Sequence, residues 1–192
     1  MNADLHTDLI RDPATLTALR SLEAGVDAGG WDQPARLFTL HRDSHDRLHP
    51  VEITAAAAFG DVHPVRIIRA LAAALSRVPT DPGSGLTEAM LDSIDIHAWV
   101  LLSEAWMVDA PADNAAGALA AADERLLHLH PHRVEIRTVN AVDRGGRVEV
   151  LIRRRGQDLA STPPGSELSG SVLEALRALM TATVRMSAGG AR

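Results

Sequence analysis

The sequence predicts an α+β fold: an antiparallel or mixed sheet of about four strands with helices packed mainly on one face. Three observations carry that expectation. His132 to Arg155 alternates in the way a β-hairpin must, Ile96 to Val108 is apolar on both parities, and apolar stripes at helical spacing follow Pro13, Pro64, Pro111 and Ser171.

In chain order, Asp12 and Pro13 start the first helix, Asp as the cap and Pro at the first position. Leu16, Leu19, Leu22 or Glu23, and Val26 follow at helical spacing, and Gly29-Gly30 ends a helix of about residues 13 to 28. Pro34 breaks any helix, and Arg36 to His41 has strand character. His41 to Pro50 reads as a polar turn, whereas Val51 to Ala58 is a strand or a buried apolar segment that periodicity does not resolve. Pro64 restarts a helix with the stripe Val65, Ile68, Leu71, Ala72, Leu75 and Val78, which stops before Pro79.

A short helix from Thr87 to Ser93 leads into Ile96 to Val108. With Trp99, Leu101 and Met107 on one face and Val100, Leu102 and Trp106 on the other, this strand belongs in the middle of a sheet or is covered twice. Pro111 and Asp113 open an alanine-rich helix to about His128.

The hairpin follows. Its arms share parity at Val134, Ile136, Thr138, Asn140 and Val142, and at Val148, Val150 and Ile152. A three-residue loop, Arg144-Gly145-Gly146, puts glycine where φ > 0 is needed and pairs Val142 with Val148 and Asn140 with Val150. The other parity carries Glu135, Arg137, Glu149, Arg153 and Arg155, which reads as a solvent face paired across strands. Ser171 and Glu174 form a capping box for the last helix, whose stripe is Val172, Leu176, Leu179, Met180 and Val184.

At 192 residues and 46% hydrophobic, the chain suits one well-buried core, so residues 1–192 are expected to form a single domain with 1–11 and 187–192 frayed. A formal charge of −6 argues against a general nucleic-acid binder. All 19 basic residues are arginine, which points to a GC-rich genome rather than to phosphate chemistry. Zero cysteine removes disulfides, thiolate nucleophiles and Cys-containing zinc patterns. The first residues hold no apolar run of signal length, and no stretch reaches the roughly 20 apolar residues of a membrane helix.

Candidate chemistry is sparse. His41, His45 and His49 stand four apart and His128, His130 and His132 two apart, spacings that can seat a metal, although Pro50 and Pro131 favour solvated loops. Glu104 is a lone carboxylate in an apolar strand; desolvated it would suit acid–base work, and paired with an arginine it would be structural. Gly165 to Ser171 has a phosphate-loop outline without the lysine. Trp99 and Trp106 read as core, and Trp31 as packing beside the first strand or, if exposed, a binding hot spot.

The run Gly30-Trp31-Asp32-Gln33-Pro34-Ala35-Arg36-Leu37-Phe38 resembles a G-W-D-Q-P-x-R-L-F stretch of uncharacterised actinobacterial proteins. Trp99 through Glu104 to Trp106, and His130-Pro131-x-Arg133 before Ala141-Val142-Asp143-Arg144, are similar to proteins of that group and its phages. The resemblance implies a lineage and an α+β fold, and transfers no catalytic residue. In physical terms the run makes a helix-to-strand corner, with Trp31 over the junction and Asp32 and Gln33 bonding free backbone groups.

The expected function is a non-catalytic cytoplasmic interaction or accessory protein, phage-associated, that binds a protein partner or itself through a sheet face or the Trp31 corner. Its candidate contact residues are Trp31, Glu104, Arg137, Arg153 and Arg155, with no cofactor, nucleic acid or membrane expected. The alternative is a metal-dependent hydrolase using His41, His45 and His49 or His128, His130 and His132, with Glu104 or Asp43 as base.

Overall fold

The computed structural model describes residues 12–53, 62–78, 95–108, 129–162 and 170–189. Among them are α1 (Pro13–Asp27), β1 (Arg36–Arg42), β2 (Leu48–Glu52), α2 (Pro64–Ser76), β3 (Ile96–Val108), β4 (Arg133–Asp143), β5 (Val148–Arg154), β6 (Leu159–Ser161) and α3 (Ser171–Gly189). The helices expected at 87–93 and 111–128, and most of the 165–171 loop, fall outside the described residues. No described helix is long and apolar enough to cross a membrane.

The α+β class holds, but the sheet is larger than expected. Six strands lie in the order β2-β1-β3-β4-β5-β6, every neighbour antiparallel. β3 sits between β1 and β4, as its two apolar faces demand. The β4–β5 register is the one the alternation requires, with Asn140 opposite Val150 and Val142 opposite Val148. Asp143 N–H donates to Arg147 O at 3.0 Å around Gly146, whose φ is +79°.

The span His41 to Pro50, expected as a turn, instead closes a second hairpin of the same design. Asp43 N–H donates to Arg47 O at 2.9 Å, and Asp46 occupies the left-handed position at φ +63°. Side-chain oxygens of Asp43 and Asp143 accept the N–H of Arg47 and Arg147, each at 2.9 Å.

Helices cover both faces, which corrects the expectation of one wet face. On one side α2 and α3 pack Val65, Ile68, Leu173, Leu176 and Leu179 against Leu37, Trp99, Leu101, Val142 and Val150. On the other, α1 packs Ala18, Leu19, Leu22 and Val26 against Phe38, Leu40, Val100, Leu102, Val139, Ala141 and Leu151. The apolar residues Val139, Ala141 and Leu151 share a parity with Arg137 and Arg153, and burying them needs a helix on that face too.

Caps hold α1 as the sequence implies: Asp12 accepts from Ala14 N–H at 3.0 Å and from the Thr15 hydroxyl at 2.9 Å. At α3 the cap falls one residue earlier than expected. Gly170 O accepts from Glu174 N–H at 3.0 Å, and the Glu174 carboxylate turns to Arg69 at 3.8 Å. On the same helix Leu173 is buried, while Val184 lies exposed.

Candidate functional site

Arg137, Glu104 and Arg153 stand side by side across three strands, since Glu104 pairs with Arg137 in β3–β4 and Arg137 with Arg153 in β4–β5. Two guanidinium groups directly opposite each other repel, so counter-charge must come from a third element. It comes from α1, where Glu23 and Asp27 stand four residues apart on the helix face that meets the sheet.

Arg137 is 0% exposed, and each of its nitrogens is occupied. Nε and Nη2 donate to Glu104 Oε1 at 3.1 and 2.8 Å, Nη1 to Asp27 Oδ1 at 2.9 Å and to Glu23 Oε1 at 3.5 Å, and Nη2 also to Gly30 O. Arg153 closes on Glu23, itself 0% exposed, through two bonds of 2.7 and 2.6 Å. That fork-to-fork bond is the main reason the Arg153 pKa is raised. Among the described residues no buried side-chain nitrogen or oxygen lacks a partner.

The network also fixes the Gly29 to Gln33 corner. Glu104 Oε2 accepts from the backbone N–H groups of Asp32 at 2.7 Å and Gln33 at 3.2 Å. The Gln33 amide donates to Val26 O and Gly30 O at 3.1 and 2.9 Å, holding Gly30 at φ +83° and Asp32 at φ +66°. The half-buried Trp31 ring then carries Arg137 at 4.6 Å and Arg155 at 5.6 Å from its centroid.

Arg155 links the corner to the neighbouring strands. It binds the Glu135 carboxylate, which raises its pKa, and lies 3.5 Å from Asp32. Glu135 pairs across β3–β4 with Trp106, which is 39% exposed and carries Arg133 at 5.4 Å over its ring. Trp106 is therefore a surface residue, not the core residue expected; it lies past Leu102, where β1 no longer flanks β3.

All five expected contact residues, Trp31, Glu104, Arg137, Arg153 and Arg155, thus meet at one end of the sheet. Arg137 and Glu104 serve inside it as a clamp, while Trp31 and Arg155 reach the surface. Sequence reading did not bring Glu23 and Asp27 to the site, and it took Glu135 only as part of a solvent face paired across strands. The available signal was the carboxylate pair on the α1 stripe facing two inward arginines.

Among the described residues the candidate histidines form no group of three at metal-ligand spacing. His41 meets Thr39 Oγ1 at 2.8 Å, His45 lies exposed in the β1–β2 turn, and His49 meets Asp43 Oδ2 at 2.8 Å. His49 and the N–H groups of Arg47 and His45 hold the Asp43 carboxyl well below the usual range, so it closes the turn and is a poor base. His130 and His132 sit with ring centroids 5.9 Å apart, and His128 is outside the described residues. The one described group with metal-like spacing is Asp32, Glu104 and Glu135, whose carboxylate oxygens lie within 4.8 Å of one another. Arg137, Arg155 and two backbone N–H groups already occupy oxygens of that group. At the opposite end of β4, Val142, Arg144, Met180 and Val184 line a shallow groove of about 300 Å3.

Fold and corner together define an α+β protein on an open antiparallel sheet, one end of which is locked to its first helix by buried ion pairs. The chain belongs to the PPA1309-like protein family, whose model matches residues 16–181 and so spans every residue of this network. No curated protein and no solved structure matches it.

Proposed function

We propose that this protein is a non-catalytic accessory protein acting through protein contact, and that the contact is the sheet end bearing Trp31, Asp32, Trp106, Arg133 and Arg155. One observation carries the reading: two partly exposed tryptophans, each with an arginine over its ring, on a surface fixed from beneath by buried ion pairs. Tryptophan and arginine are the residues most enriched where interfaces concentrate binding energy, and a surface ordered before contact loses little entropy on binding.

Helices over both faces favour this end over a sheet face as the contact. The carboxylates here accept from guanidinium and backbone donors, which supports a scaffold rather than acid–base chemistry. We set the same reading in the cytoplasm of an actinobacterium or its phage, supported by the arginine-only basic set, the cysteine-free sequence and the G-W-D-Q-P run.

The test is photo-crosslinking inside the expressing cell. A photoreactive residue replaces Asp32, whose side chain is 75% exposed, or, as a control, the exposed Arg185 of α3. Discrete protein adducts from position 32 that are absent from position 185 and lost on Trp31→Ala support the reading. Identical patterns from both positions overturn it.

A further inference from the structure

β3 outruns β1. The last β1–β3 pair is Arg36 with Leu102, while β3 continues to Val108 against β4 alone. Arg155 N–H donates to Glu135 O, so Glu135 turns its backbone toward β5 and its neighbours Val134, Ile136 and Thr138 turn toward β3. Their partners Met107, Ala105 and Ser103 therefore spend their bonds on β4. The N–H and C=O groups of Glu104, Trp106 and Val108 point to the open side, where no described residue bonds them.

The outer edges of the sheet are blunted: β2 contains Pro50, and β6 has only three residues. The β3 overhang has neither defence. It holds no proline, Ala105 and Trp106 are both exposed, and its one charge, Glu104, is bound inward to Arg137.

We infer that this overhang pairs antiparallel with the same overhang of a second copy of the chain, Trp106 opposite Trp106. The inference rests on the contact reading above and names its partner. Only that register suits the whole gap: Trp106 exchanges both bonds with its counterpart and Glu104 exchanges both with Val108 of the copy. All three residues are satisfied, and β3 of the copy, whose last residue is Val108, stops short of the β1 pairing at Leu102. A register centred on Ala105 leaves Val108 opposite Leu102, which β1 already holds.

Charge agrees. Arg133 pairs with Val108 on β4, so in this register it lies about 10 Å, two strand spacings, from the row of the copy's Glu104. Glu104 keeps its bonds to Arg137 and to the Asp32 and Gln33 N–H groups, so the overhang brings no unpaired carboxylate against the copy's edge. The area involved, five residues a side with part of Trp106 already covered, falls below the ~1,200 Å2 of stable complexes. The dimer is accordingly weak and grows with concentration.

The test uses the full chain, which has no cysteine of its own. Trp106→Cys brings two sulfurs together across a pair whose Cα atoms lie ~5.5 Å apart, within disulfide reach. It should cross-link at least ~10-fold faster than the exposed Ser76→Cys, because pairing raises the effective concentration. Sedimentation of the wild type should show a monomer–dimer equilibrium. Trp106→Pro, which removes an N–H that β4 does not use, should abolish it with the circular dichroism unchanged. Equal cross-linking of the two cysteine variants, or a wild type that stays monomeric at every concentration, overturns the inference. A monomer that still gives partner adducts from position 32 overturns the dimer and leaves the contact reading standing.

Discussion

Arg137 Nη2 lies 2.8 Å from Glu104 Oε1, and no part of the Arg137 side chain is exposed. A charge so placed is tolerable only while its partners remain. Removing one side of a buried pair strands the other in a low-dielectric site, at a cost of about 3–5 kcal/mol.

Arg137→Met should therefore lower the unfolding free energy by about 3–5 kcal/mol, read by urea denaturation. Arg137→Lys should recover little of it. A single ammonium cannot reproduce the fork that reaches Glu104, Asp27 and Gly30 together.

Arg153 and Arg155 differ by two positions and should differ sharply in effect. Arg153→Ala leaves the fully buried Glu23 with only the 3.5 Å contact to Arg137 and should cost about 2–4 kcal/mol. Arg155→Ala should lower thermal stability less than Arg153→Ala, because Arg155 is half exposed and its Asp32 partner lies in solvent, while Glu135 keeps some exposure where Glu23 has none. Its main effect should appear in contact formation.

The two matching hairpin turns make opposite forecasts. Gly146→Ala has free space for a methyl group but a φ of +79°, so about 1 kcal/mol of backbone strain should appear as a lower melting temperature. Asp46→Gly relieves a non-glycine residue at φ +63° and should be neutral or stabilising by about 0.5–1 kcal/mol.

Acid should weaken the first hairpin and the α1 cap only below the ordinary carboxylate range. Asp43 and Asp12 both titrate below the ordinary carboxylate value of 3.8, Asp43 chiefly through its bond to His49. For Asp12, burial opposes the shift, and the Thr15 and Ala14 bonds outweigh it. A depressed folded pKa gives stability that is complete above the unfolded pKa and is lost as pH falls through the folded one. Stability should thus be flat in this respect above about pH 5 and decline below about pH 4. Asp43→Asn should lower it at neutral pH and flatten the acid limb, as thermal melts across pH would show.

How much of this was legible follows particular residues. Alternation with Gly145-Gly146 specified the β4–β5 hairpin and its register, and Asp12-Pro13 specified the start of α1. The β1–β2 hairpin was hidden because Asp46 stands where Gly146 stands in its twin, and a left-handed aspartate leaves no mark in a sequence. Cover on the second face was hidden by Arg137 and Arg153, which read as solvent-facing until the acids of α1 are brought to them by the tertiary fold. Even so, β3 already implied two covered faces, and Val139, Ala141 and Leu151 repeated the hint. The five residues named from the sequence fall together at one end of the sheet. What a sequence could not supply was which of them lie beneath the surface.

In the proposed function Glu104 and Arg137 form a structural clamp beneath the contact surface. A urea-denaturation cycle of Glu104→Gln, Arg137→Met and the double variant tests it most directly. The clamp predicts that Glu104→Gln alone costs about 2–4 kcal/mol and that the pair is coupled by more than about 1 kcal/mol. A Glu104→Gln protein as stable as wild type or more stable, the behaviour of a site that holds strain for activity, would contradict it.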